Sequence, residues 1–80
     1  MPNPSGSRQS APLVALGNAI RQTRKRKAIS QEQLALMAEV DRSYVGRVER
    51  GDNNVAILTL AKIAKALGVS VAKLAAKAKL

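Results

Sequence analysis

Two short amphipathic segments stand almost end to end in SQEQLALMAEVDRSYVGRVERG, residues 30–51. A connection of only a few residues forces two helices to cross at a steep angle. The small side chains of Ala35 and Ala38 permit the close approach that such a crossing needs. Ser30 and Gln33 form the S-x-x-Q pattern of a capping box, which places the start of the first helix at Gln31. Leu34, Ala35 and Ala38 supply its buried stripe. Asp41 stands at the cap of the second helix, where its carboxylate is expected to accept from the first-turn amides. Val45 and Val48 point inward, and Gly51 is placed to end the helix in the left-handed conformation. The remaining residues Arg42, Ser43, Gly46 and Arg47 fall on the outward side.

The rest of the chain supplies what can hold that pair. MPNPSGSRQS has no apolar face and is rich in Pro, Ser, Gly and Asn, so residues 1–10 read as a disordered arm and 11–80 as one domain. Arg8 on that arm could reach a phosphate. A first helix begins near Pro12, which suits a first-turn position, and presents Leu13, Leu16, Ile20 and Thr23 inward. It frays in RKRK, where cations suit the negative end of the helix dipole. After the turn DNN, a fourth helix spans about Ile57–Leu67, with Leu60, Ile63, Ala64 and Leu67 inward and Asn54 as its expected cap. Gly68 stops it. Ser70 caps a last helix from Val71 to about Ala78, whose apolar positions are Val71, Leu74 and Leu80. No strand pattern competes. The expected fold is all-α, a five-helix bundle.

Charge narrows the partner. The 80 residues carry 14 Lys and Arg against 5 Asp and Glu, a formal charge of +9. Residues 1–27 hold Arg8, Arg21, Arg24, Lys25, Arg26 and Lys27 and no acid. Residues 53–80 hold Lys62, Lys65, Lys73, Lys77 and Lys79 and again no acid. All five acids, Glu32, Glu39, Asp41, Glu49 and Asp52, sit in the middle with Arg42, Arg47 and Arg50. A basic balance of this strength points to a polyanion, most often nucleic acid. The positive field comes from the flanks, while the middle is chemically mixed, as a specific reader would be. His and Cys are absent, which removes the commonest general base and every thiolate site, and no Gly-rich phosphate loop is present. Neither an enzyme, a metal site nor a cofactor is expected. Lys62 and Lys65 interrupt the most apolar region, which argues against a membrane span.

A steeply crossed pair of short helices can rest one member across a DNA backbone and set the other in the major groove. On that geometry Arg42, Ser43 and Arg47 face base edges. Arg donates twice to guanine and Ser bonds to several edges. Gly46, with no side chain, lets the helix sit close. Tyr44, the single aromatic, either packs over the turn or bonds a phosphate.

The region from IRQTRKRKAISQEQLALMAEVDRSYVGRVERG through LTLAKIAKALGVS resembles the helix-turn-helix domains of the XRE class, the phage Cro and repressor type with a lambda-repressor-like fold. The resemblance covers about Leu16–Leu74. It implies that Gln31 contacts phosphate and braces side chains of the recognition helix, and that Arg42, Ser43 and Arg47 read bases. Tyr44, Arg50, Asn53 and Asn54 join Gln31 at the phosphates. Arg24 and Glu49 match a largely buried salt bridge between the first and third helices. Two departures stand out: Glu39 replaces the usual Gly of the inter-helix turn, and Val55 and Ala56 replace the usual Pro and Ser or Thr before helix 4.

The expectation is a sequence-specific regulator of transcription that binds double-stranded DNA as a two-fold homodimer on a pseudo-palindrome. Its simplest action is repression by occlusion, in a prokaryotic or phage cytoplasm at the nucleoid, with no small-molecule ligand and no membrane. Val71, Leu74 and nearby alanines are the expected dimer contact. Three other readings remain: a restriction–modification controller, the antitoxin of a toxin–antitoxin pair, or a nucleoid-coating protein driven by charge alone.

Overall fold

The structure, a computed structural model, describes residues 10–80. Apart from Ser10, the arm expected over residues 1–10 and its Arg8 lie outside the described residues. Among those described, the chain forms α1 (Ala11–Arg26), α2 (Gln31–Ala38), α3 (Arg42–Arg50), α4 (Ile57–Leu67) and α5 (Val71–Lys77), and no strand.

Helix starts follow local chemistry only in part. Ser30 accepts from the Gln33 amide at 3.0 Å while the Gln33 side chain accepts from the Ser30 amide at 2.8 Å, so the capping box on α2 is complete. Ser70 likewise accepts from the Lys73 amide at 2.9 Å and caps α5. Asp41 holds the cap position of α3, but its carboxylate makes no cap bond; only its carbonyl accepts, from Tyr44 and Val45. The expectation for Asn54 also fails, because the cap of α4 falls two residues later on Ala56, whose methyl cannot accept.

Helix ends share one device. One residue past the end of α2, α3 and α4, and two past the end of α1 and α5, a residue has positive φ, and two backbone amides bond back onto the last turn, as in a Schellman motif. Gly51 and Gly68 take that position in α3 and α4 at φ 78° and 72°. Ala28, Glu39 and Lys79 take it after α1, α2 and α5, at φ 58°, 60° and 62°. A residue with a Cβ pays on the order of 1 kcal/mol there. The following residues Ile29, Val40 and Val69 pack against the core, which offsets the strain.

The core is Leu16, Ala19, Ile20, Leu34, Ala35, Ala38, Val45, Val48, Leu60, Ile63, Ala64, Leu67 and Leu74. It joins α1 to α3 and α5, and α2 to α3 and α4. Leu13 is only half-buried at the first turn of α1. Leu74 is 1% exposed. It closes its own domain and is not free for a dimer contact, because α5 folds back on α1 and α4. No helix among the described residues is long and apolar enough to cross a membrane.

Candidate nucleic-acid interface

α3 is amphipathic across its short length. Val45 and Val48 are buried, whereas Arg42, Ser43 and Arg47 are exposed on the other side. Those three side chains line one open depression together with Gln31, Gly46 and Arg50. Gly46 forms its floor: a Cβ built there would lie 3.2 Å from Arg50 Nη1 and 3.9 Å from Gln31 Oε1. A larger residue would push both long side chains aside.

The base of α3 is fixed by one carboxylate. Arg24 Nε donates to Glu49 Oε2 at 2.6 Å and Arg24 Nη2 donates to Glu49 Oε1 at 3.0 Å, a two-point contact. The side chains are 10% and 2% exposed, so the pair is largely removed from water. Arg24 Nη1 also donates to the Ile29 carbonyl at 2.9 Å. One guanidinium therefore ties α1, the α1–α2 connection and α3. Gln31 Nε2 donates to Glu49 Oε1 at 3.0 Å, which places the start of α2 beside the same group. Every buried side-chain polar atom among the described residues has a hydrogen-bond partner. A paired, satisfied network of this kind serves orientation more than net stability.

Close backbone approach completes the fixation. A Cβ on Gly17 would sit 2.6 Å from the Glu49 carbonyl oxygen, so α1 and α3 touch there backbone to backbone. A Cβ on Gly51 would sit 2.8 Å from Val14 Cγ2. Of these two glycines, only Gly51 has an evident role in the sequence, as a helix stop. The available signal for Gly17 was a glycine inside an otherwise helical pattern, which costs about 1 kcal/mol against Ala and so usually has a packing reason.

The other named positions are distributed around the tip. Tyr44 is half-buried and packs against the core, with the Arg47 guanidinium 5.9 Å from its ring centroid. Arg50 Nε donates to Asp52 Oδ2 at 3.1 Å, an exposed pair that holds Arg50 over Gly46. Asn53 and Asn54 lie in the α3–α4 connection, half-buried and exposed respectively. The described residues contain no group of three His, Cys, Asp or Glu side chains able to hold a metal.

Comparison with known proteins places this geometry. The helix-turn-helix family model matches residues 20–74. The control protein C.SmaI of Serratia marcescens is 46% identical over 59 residues, covering 74% of this chain and 70% of that protein. The crystal structure of the restriction-modification controller protein C.AhdI from Aeromonas hydrophila superposes with a TM-score of 0.80 at 45% identity, over 81% of this chain and 98% of that one. The clp gene regulator ClgR from C. glutamicum superposes with a TM-score of 0.83 at 35% identity, over 85% and 87% of the two chains. A match over most of the chain, α1 to α5, shows that the protein belongs to the XRE class of the helix-turn-helix family.

Proposed function

We propose that the chain is a transcriptional regulator that reads double-stranded DNA sequence-specifically with the tip of α3. The observation that carries this is the arrangement of α3 itself. Arg42, Ser43 and Arg47 project from one exposed tip, while the opposite face is locked by Val45, Val48 and the Arg24–Glu49 pair. The rigid side fixes where the polar side points. In the major groove Arg42 and Arg47 donate to guanine edges and Ser43 to a neighbouring edge. Gln31, Tyr44, Arg50, Asn53 and Asn54 ring that tip and contact phosphates, which set register without carrying sequence.

The regulator works as a two-fold homodimer, with its two α3 tips about 34 Å apart on a pseudo-palindrome. Ile57 and Leu58, at 65% and 77% exposed on the first turn of α4, supply apolar surface for that contact. Occupation of a promoter by such a dimer represses by occlusion.

The relatives favour one biological setting over the others. Three of them, including C.SmaI, are control proteins, and C.AhdI is a restriction-modification controller. A controller role in a restriction–modification system is therefore the second, finer reading.

Selection of bound duplexes from a random pool tests the proposal. The expected outcome is an enriched motif with two inverted half-sites one helical turn apart. An unenriched pool would leave only charge-driven coating.

A further inference from the structure

The C-terminal end of α1 and the face of α5 enclose a cleft of 440 Å³. Its rim carries four cations, Arg26, Lys27, Lys73 and Lys77, and its floor is the apolar surface of Val69 and Ala76, beneath which Leu74 lies buried. It shares no residue with the depression at the tip of α3. No acid lines it, and none of its four cations forms an ion pair among the described residues. We propose that this cleft is a docking site for an acidic protein segment that presents an apolar side chain between its carboxylates.

Three features select that occupant. Four like charges around one opening repel one another, and an acidic partner relieves the repulsion while a basic or neutral one does not. The apolar floor rewards burial of a side chain such as Leu, and a phosphate backbone has nothing to place there. The polar lining is of the wrong kind for a small metabolite. Such sites fix a ligand by a few placed polar groups. Here the one buried hydroxyl, on Thr23, already donates to the Ala19 carbonyl at 2.8 Å, and the cations ride on flexible stems. Charge with an apolar anchor is the chemistry of a helix-in-groove contact. Because the cleft shares no lining residue with the depression at the α3 tip, a segment held in it contacts none of the proposed base-reading side chains.

The test uses the full chain and a labelled amphipathic helical peptide of Leu and Glu, with two controls: the same peptide with Ala for Leu, and with Lys for Glu. Binding is read by fluorescence anisotropy, and methyl NMR shifts report the position. The Glu–Leu peptide is expected to bind and to shift the methyls of Val69 and Ala76. The double variant Lys73→Ala, Lys77→Ala, checked for an unchanged melting curve, should weaken it roughly tenfold, as expected for two partly desolvated charge pairs. Its salt dependence on duplex DNA should match that of the unsubstituted chain. Equal binding of the Ala control, shifts elsewhere, or no binding at all would overturn the proposal. So would a salt slope on DNA reduced by about two, which would make the rim a phosphate contact.

Discussion

Glu49 receives three hydrogen bonds on one carboxylate, two from Arg24 and one from Gln31, and this residue decides where the α3 tip points. Removing one partner leaves a charge buried without compensation. Arg24→Ala is therefore expected to lower unfolding free energy by about 3–5 kcal/mol, read by urea denaturation. An unchanged midpoint would contradict the pair. Stability and orientation can be separated by replacing both partners. The double variant Arg24→Met, Glu49→Leu should unfold near the original midpoint, because apolar replacement of a buried pair is often neutral or stabilising. Its affinity for the selected duplex should nevertheless fall, since Gln31 loses its acceptor and α3 its anchor. Retention of full affinity would show that packing alone orients the helix. Gly17 makes the same point without charge. Gly17→Ala forces a methyl onto the Glu49 backbone and should cost about 1–3 kcal/mol despite the better helix propensity of Ala.

Across the helices, the termini explain both what could be read from the sequence and what could not. Every helix has its own 3.6-residue stripe, and the Ser30–Gln33 and Ser70 caps are spelled out locally, so existence and order of the five elements were legible. The stops at Gly51 and Gly68 were legible for the same reason, because glycine advertises positive φ. Ala28 and Lys79 give no such sign. Their left-handed backbone is imposed by amides bonding back onto the preceding turn, with Ile29 packed against the core in the first case. Asp41 and Asn54 show the converse, since a residue with capping chemistry caps only where the helix starts one residue later and the rotamer allows it. The burial of Leu74 was not legible, because an apolar position on a seven-residue helix has the same spacing whether it faces a partner or its own core. For the candidate site, the exposed tip could be read from the α3 stripe, whereas the Gly17 contact depends on a crossing between distant segments. The strained ends give an expectation of their own. Ala28→Gly and Glu39→Gly should each stabilise the domain by roughly 0.5–1 kcal/mol in thermal melts, because glycine removes the left-handed penalty. A fall in melting temperature would mean that the positive φ is not strained.

At the level of the whole molecule, a chain of charge +9 carries a small, chemically mixed α3 tip, so on the proposed function attraction and discrimination fall to different residues. Affinity for any duplex should fall linearly in log salt, with a slope of about −0.9 per phosphate neutralised. Leu58→Glu should shift the sedimenting species toward monomer and weaken binding to a two-half-site duplex while leaving a single half-site little affected. Equal sedimentation would move the dimer contact elsewhere. The central claim, that the α3 tip reads bases and does not merely adhere to phosphate, is tested most directly by guanine methylation interference with the original chain and with Arg47→Ala on the selected duplex. Methylation at guanine N7 should block the original chain at fixed positions in both half-sites. Arg47→Ala should lose the interference at one guanine per half-site and keep the rest. A uniform loss of affinity with every interfering position unchanged would contradict the account.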